Sequence, residues 1–581
     1  MTKLAPHFVN VIEGTQSMSS RTNGPAPAFD SPQPDSTASG LGKWLPLLVL
    51  CLAQLSTSGD NATLSIATGA LIKDLNAPMD LVSIANAMYS LAAGSLMVAA
   101  GMVGLIVGWK KTFRVGCALL FCAEITAFFS PNMEVFTYGA RLLSGIGGSF
   151  MIPSVLGLIA SNYRGREQAV AFGAIGAASG VSFAAGPIIC GLLVDHLGWR
   201  YAFGAIACLC VVIFLGSFIV PTPPKPARKV VFDLPGVLLT VIGLFSVILG
   251  FLKVSSWGLF TPFSPPFTVL GLSPAPFLVL FGIVVLALML KWERHREATT
   301  GSALIPMSFI GTPQVRNGLY LTAFIFLAYG SGIFVTVSFV QVVAGLTAIQ
   351  TGLMILPFAL GVVVFSLGLP VIYKNANPKR MCQAALVIGA VGSIACILGF
   401  DLSSYSAVVP FGMCLIGISM GIISAYSSYC VTSALPPRDA QQSGGVQATS
   451  RNVGQAIGVA VCGMVMLTAI TMSVQSTAHG DARLSDATRG KVSAIAVIPY
   501  LSDGKFSELM LDHGIDQADM PVLTDVYKHA RLDATRAGMI ATALMTLLFL
   551  FGTRNLPTST QVTRAKDADL LEKLADTTPS V

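Results

Sequence analysis

The sequence predicts an all-α polytopic membrane protein with fourteen transmembrane helices, and three observations carry that expectation. Of 581 residues, 53% are hydrophobic and 11% are charged, whereas a soluble domain carries about 25% charged residues. The mean hydropathy is +0.72. The apolar residues gather into about fourteen stretches, each near the roughly twenty residues that a membrane-spanning helix needs.

Residues 1–43 are polar and rich in Ser, Thr, Pro and Gly, with no apolar run before Trp44. They read as a disordered cytoplasmic tail without a cleavable signal peptide. Span 1 is expected at 44–72 and contains Ser56-Thr57-Ser58-Gly59-Asp60-Asn61-Ala62-Thr63. Ser56 and Asp60 share a helical face, and Thr57, Asp60 and Thr63 step along it by three. A charge at the bilayer centre costs about 2.5–3.5 kcal/mol on insertion scales. Asp60 is therefore a candidate proton site facing water or substrate, or else an aspartate hydrogen-bonded to a neighbouring helix. Span 2, at 81–107, closes on Gly101, Gly108, Lys110 and Lys111.

Span 3, at 112–130, holds Glu124 between Ala123 and Ile125. Its roles are proton carriage, attraction of a cationic substrate, or simple pairing with Arg141. Span 4, at 135–160, carries Arg141 ahead of Ser144, Gly145, Gly147 and Gly148. Arginine keeps its proton, so it acts on a nearby carboxylate through its charge, or it snorkels to the span end. Span 5, at 168–193, is rich in small residues, with Gly176 and Gly180 spaced for close helix approach and Gly186, Pro187 and Gly191 following. Span 6 is expected at 200–220.

Two further spans are expected at 234–253 and 271–291, then six at 317–343, 348–373, 381–400, 407–433, 447–471 and 536–553. Residues 472–535 form a mixed-charge loop with amphipathic turns expected across Val522–Asp533. Residues 554–581 read as a charged tail with a short helix near 566–575. The even span count puts both termini on one side. Sixteen Lys and Arg residues in the short loops of that side face three, Lys73, Arg200 and Lys253, in those opposite. That bias makes the termini cytoplasmic, and it accounts for the net charge of +7 without nucleic acid. The five tryptophans, Trp44, Trp109, Trp199, Trp257 and Trp292, are expected as interfacial anchors.

Chemistry beyond transport finds little support. The eleven cysteines lie in or beside spans and read as small hydrophobes. The six histidines lie in tails, loops or span ends, with no HExxH and no phosphate-binding loop. No cofactor, metal or catalytic residue is implied.

These segments together resemble the fourteen-helix drug–proton antiporter branch of the major facilitator superfamily. Asp60 followed by Asp74-Leu75 is similar to its span 1 signature, and Arg141-Leu-Leu-Ser-Gly145-Ile-Gly147-Gly148 to its span 4 motif. Gly186-Pro187-Ile-Ile-Cys190-Gly191 resembles the antiporter motif, followed by a similar Trp199-Arg200-Tyr201-Ala202-Phe203. Gly345-Leu-Thr-Ala-Ile-Gln350-Thr-Gly352 with Leu356-Pro357, and Arg451-Asn452-Val453-Gly454-Gln455-Ala456-Ile457-Gly458, resemble the entries to spans 10 and 13. Leu105 stands where the span 2–3 motif carries an acid, and Cys190 replaces a glycine of the antiporter motif.

The resemblance implies a six-helix bundle over 44–220, a linker with an inserted helix pair over 221–316, and a second six-helix bundle over 317–553. It implies export of amphipathic organic compounds or drugs in exchange for protons at the plasma membrane (the inner membrane in a Gram-negative cell). Asp60, Glu124 and Arg141 would couple the proton. Gly176, Gly180, Gly186, Pro187 and Gly191 would form the antiporter motif, and Gly101, Gly108, Lys110 and Lys111 the inner gate. The partners are protons, a small-molecule substrate and the lipid bilayer, and the long outer loop invites an adaptor protein. The alternatives are an exporter or symporter of a defined metabolite such as a siderophore, toxin or amino acid, and a non-transporting sensor of the same fold.

Overall fold

Long apolar runs interrupted by glycine, proline and basic turns become helices because a lipid-facing backbone must satisfy its own hydrogen bonds. The computed structural model describes residues 44–557 apart from 76–78, 224–231, 261, 263–264, 301–302, 347, 374–375, 403–405, 436 and 555. The tails expected at 1–43 and beyond 557, including the short helix near 566–575, lie outside the described residues. The compact unit runs from Leu45.

In chain order the helices are α1 (Leu45–Asp74), α2 (Met79–Val107), α3 (Trp109–Phe128), α4 (Leu142–Asn162), α5 (Gly165–His196) and α6 (Trp199–Gly216). A π-helical turn, Val135–Arg141, leads into α4. Next come α7 (Leu234–Trp257), α8 (Pro274–Thr300), the short α9 (Met307–Gly311), α10 (Pro313–Ser338), α11 (Ala348–Ile372) and α12 (Pro378–Gly399). The series ends with α13 (Val408–Ser433), α14 (Pro437–Gly480), α15 (Asp486–Ala494), α16 (Asp503–Asp512) and α17 (Met520–Leu548).

Fourteen of these, α1 to α8, α10 to α14 and α17, have eighteen residues or more. Among the described residues, eleven stretches are long and apolar enough to cross a membrane, and α1 adds a shorter one at Leu45–Asp60. Helix α3 falls short of that pattern because Lys110, Lys111, Arg114 and Glu124 lie within it. The loop expected at 472–535 is mostly ordered helix. Its first residues extend α14, its middle forms α15 and α16, and the turns expected at Val522–Asp533 open α17.

Two groups of helices, α1–α6 and α10–α17, each enclose their own apolar core. The α7–α8 pair packs internally through Gly243 and Gly282 and rests Leu244 and Ile248 against Leu91, Val98 and Met102 of α2. Asp233 caps α7 by accepting the Gly236 N–H and also accepts from Trp292 Nε1. Arg296 stands 3.3 Å from the same carboxylate.

A repeat joins the two bundles. Lys110 Nζ, at the start of α3, donates to Phe218 O at 3.1 Å, and Arg114 Nε donates to Ser217 Oγ at 2.9 Å. Lys379 Nζ, at the start of α12, donates to Arg554 O at 2.8 Å, and Gln383 Nε2 donates to Thr553 Oγ1 at 3.0 Å. In each bundle a basic turn, with a partner one helical turn later, holds the end of the last helix. We call this the basic end.

At that end the bundles meet. A Cβ added at Gly101 would stand 3.1 Å from the Gly445 Cα, and one at Gly444 would stand 2.7 Å from Pro153 O. Thr432 Oγ1 on α13 donates to Gln168 Oε1 on α5 at 2.9 Å. Gly173 and Gly176 lie against Ser366 and Ser424, and a Cβ at Gly180 would come within 2.9 Å of Val362. The small residues of α5 thus permit the close packing that their spacing predicts.

Candidate functional site

The span 4 arginine is positioned by the glycines C-terminal to it. A Cβ on Gly145 would stand 2.7 Å from Tyr89 O, and one on Gly147 would stand 2.7 Å from Leu120 N. Glycine at these positions brings α4 into backbone contact with both α2 and α3. The π-helical turn ends on Arg141, and such turns recur at functional sites because they re-aim one side chain. The guanidinium then lies 5.0 Å from the Tyr89 ring centroid.

Arg141 Nη1 donates to Asp60 Oδ1 at 2.5 Å, and both side chains are at most 1% exposed. Glu124, also buried, interacts electrostatically with Asp60 and Arg141. The structure therefore brings the three intramembrane ionisable residues expected from the sequence into one cluster. With Glu124 in electrostatic reach of the Asp60–Arg141 pair, the fully ionised cluster carries a net charge of −1, and one proton neutralises it.

The polar face of α1 turns into the protein. Ser56 and Thr57 bond back to Ala53 and Gln54 carbonyls, and Thr63 Oγ1 lies 2.8 Å from Cys190 Sγ. Cys190, expected in place of a glycine of an antiporter motif, thus contacts the helix that bears Asp60. Gly186, Pro187 and Gly191 lie within uninterrupted α5, and the Pro187 side chain lies outside the described residues.

Gly108 separates α2 from α3 at φ 105°, in the left-handed region that glycine tolerates. Lys110 engages α6 within its own bundle, and Lys111 is exposed. Leu105 is buried in the core that also holds Trp109. Trp109 and Trp199 are 2% exposed, so these two depart from the expected interfacial placement. Trp199 Nε1 instead donates to Asp74 Oδ2 at 3.0 Å, which links the acid that follows Asp60 to the start of α6.

Two buried residues escaped sequence reasoning: Tyr89, beside Arg141, and Arg451, on α14. Tyr89 gave no signal because a tyrosine in a span is ordinary. Arg451 lies inside the stretch expected as span 13, and the cost argument that singled out Arg141 applies to it equally. It is 5% exposed, with Nη2 donating to Ser428 Oγ at 3.1 Å.

A family model described as Major Facilitator Superfamily matches residues 50–459. The chain is 27% identical to the probable actinorhodin transporter of Streptomyces coelicolor over 75% of each chain. It is 26% identical to the multidrug efflux pump LfrA of Mycolicibacterium smegmatis, over 74% of this chain and 82% of that protein. The crystal structure of the human organic anion transporter MFSD10 aligns with a TM-score of 0.55 at 12% identity, covering 89% of this chain and all of that one. At that identity the likeness speaks to fold alone.

Proposed function

The chain belongs to the major facilitator superfamily, and from that premise we propose that it is a proton-coupled exporter of amphipathic organic compounds working by alternating access. The observation that carries the coupling is the buried ion pair of Asp60 and Arg141 with Glu124 beside it. A buried pair is stable only while its charges are matched. Protonation of one carboxyl alters that match, so the packing of α1, α3 and α4 responds to the proton.

The α1–α6 bundle holds the proton site, and α5 pivots against α11 and α13 along its small residues. The basic turns at Lys110 and Lys379 stiffen each bundle so that the two move as bodies. The Lys and Arg bias supports a cytoplasmic basic end and cytoplasmic termini in a plasma-membrane protein. The α15–α16 segment then faces outward, where an adaptor protein would meet it. A relative named as a multidrug efflux pump supports the direction of transport. An inward proton driven by 100 mV supplies about 2.3 kcal/mol, enough to sustain a gradient of roughly fifty-fold.

The test is proton movement by purified protein in liposomes that contain a pH-sensitive dye, as amphipathic drugs are added. Proton flux that requires the drug and disappears in Asp60→Asn supports coupled exchange. Drug movement without proton flux would sink the coupling, and movement of neither would sink the exporter reading.

A further inference from the structure

Buried charge is unevenly matched in this protein. Among the described residues the buried carboxylates are Asp60, Glu124, Asp233 and Glu293, and all of them precede α10. Three arginines are fully or nearly fully buried: Arg141, Arg451 and Arg531. Arg141 pairs with Asp60, and Arg531 pairs with Asp503 of the α16 segment. Arg451 pairs with no carboxylate among the described residues.

Its surroundings leave donor capacity unused. The guanidinium offers five N–H donors. One goes to the neutral Ser428 hydroxyl, and the cation lies 5.2 Å from the Phe326 ring centroid. Arg451 Nε has no hydrogen-bond acceptor within the described structure, and neither Gln447 Oε1 nor Ser424 Oγ has a partner there. Gln447 precedes Arg451 by one turn of α14, and Ser424 precedes Ser428 by one turn of α13.

Ser424 stands against Gly176 of α5, so this polar patch adjoins the seam between the bundles. An uncompensated buried cation is destabilising unless an anion visits it. A planar fork beside an aromatic ring suits the head and body of an amphiphilic acid.

We propose that Arg451, with Ser428 and Gln447, forms an anion subsite in the second bundle, and that the exported compounds are amphiphiles bearing a carboxylate, sulfonate or similar oxyanion. The proposal rests on the exporter reading above and names its substrate class. The proton is handled on α1 and α3, and the substrate anion on α14. Phe326 packs the apolar part of the substrate next to its head group. An inside-negative potential drives an outgoing anion and an incoming proton in the same electrical sense, so both contribute to export.

The experiment uses matched pyrene probes: pyrenebutyrate as the acid and pyrenebutylamine as the cation of similar size. Binding is read by fluorescence titration in dodecyl maltoside, whose neutral head group keeps phospholipid phosphate away from the site. Proton-coupled transport of the same probes is read in liposomes. The wild-type protein is expected to bind the acid at least ten-fold more tightly than the amine. Arg451→Gln is expected to erase that preference by weakening acid binding at least ten-fold. Arg451→Lys keeps the charge without the fork and is expected to weaken acid binding at least three-fold.

Equal binding of the two probes by wild type overturns the proposal, as does a preference for the amine. So does a preference for the acid that persists in Arg451→Gln, or unchanged acid affinity in Arg451→Lys should the glutamine variant fail to fold. Coupled transport of the amine alone would leave the exporter reading standing and remove this one. Acid binding that responds to Arg451 without transport of either probe would remove the exporter reading and, with it, the claim that the bound acid is exported. Restoring a phosphatidylglycerol supplement to the titration separates a lipid head group from the substrate as occupant. Competition at wild-type Arg451 without any acid transport would assign the subsite to lipid and overturn the substrate claim.

Discussion

Arg141 holds Asp60 across two helices, Nη1 to Oδ1 at 2.5 Å, with both side chains closed off from solvent. Removing one member of such a pair strands the other charge, at a cost of about 3–5 kcal/mol. Glu124 stands beside them and limits that cost at Arg141. We therefore expect Asp60→Asn to lower thermal stability by no more than about 3 kcal/mol and to reduce drug-driven proton flux at least a hundred-fold. Glu124→Gln leaves the direct ion pair in place and is expected to retain more flux. Melting curves and dye-loaded liposomes read both effects, and a greater loss of flux in Glu124→Gln would reverse the assignment.

The placement of Arg141 depends on glycine backbone contacts, so a methyl group far from the charge should disturb it. Gly147→Ala would put a Cβ at 2.7 Å from Leu120 N and 3.0 Å from Gly116 O. Overpacking of this kind costs about 1–3 kcal/mol. The expected outcome is a lower melting temperature together with weaker coupling. Gly490→Ala, with nothing within 4 Å of the new Cβ, is the control and should change neither. A Gly147→Ala protein as stable as wild type would show that α4 can retreat from α3.

The Asp60, Glu124 and Arg141 cluster was legible in the sequence because a charge inside an apolar span is rare enough to stand out. The close approach along α5 was legible from the spacing of Gly176 and Gly180. What was not legible depends on facing rather than on spacing. Trp199 reads as an interfacial anchor from its position, yet its ring is buried and its N–H belongs to Asp74. Lys110 reads as part of an inner gate, and its bond to the backbone just past α6 is a further contact that spacing does not give. The helical content of the 472–535 loop was largely hidden, because charged amphipathic turns there look like solvated coil until they pack on α17.

The Asp74–Trp199 contact ties the end of α1 to the start of α6, and Arg200 stands 3.4 Å from the same carboxylate oxygen. Trp199→Phe keeps most of the apolar packing against Phe136 and Phe203 and removes only the N–H donor. Because Asp74 is half exposed and retains Arg200, the expected loss is about 1 kcal/mol. The melting temperature checks it. Asp74→Ala removes the acceptor, and combining it with Trp199→Phe should cost less than the sum of the two, since they share one interaction.

Acid should loosen the α15–α16 segment only far below neutral pH. Hydrogen bonds from Arg483 hold the Asp481 carboxyl down at about 2, and bonds from Ser485 and Thr488 hold Asp519 below its ordinary value. Both folded values lie below the unfolded one of about 3.9. The stabilisation is therefore fully present above about pH 4 and is lost as pH falls toward the folded values. Pepsin cleavage within 481–519 is expected to stay slow at pH 4 and to accelerate toward pH 2. A marked change between pH 5 and pH 8 would point to other groups.

The seam at the basic end offers the last prediction. Thr432 Oγ1 reaches from α13 to Gln168 Oε1 on α5, while Gln168 Nε2 donates to Tyr163 O at the end of α4. One side-chain amide therefore bridges the two bundles where they close. Thr432→Val keeps the shape and removes the hydroxyl, leaving a buried acceptor unpaired. The net cost is about 1 kcal/mol, which corresponds to roughly a five-fold shift of any equilibrium in which this contact opens. Backbone exchange is the readout, because opening exposes amides that the seam now covers. Residues 164–170 and 428–434 should exchange faster in the variant, and residues 98–104 and 442–448 should do so as well, since Gly101 and Gly445 lie on the same seam. The α15 and α16 amides, at the opposite end of the molecule, should be unaffected. Faster exchange confined to 428–434 would mean that the hydroxyl stabilises only its own helix end, and that the bundles are held together by their glycine contacts instead.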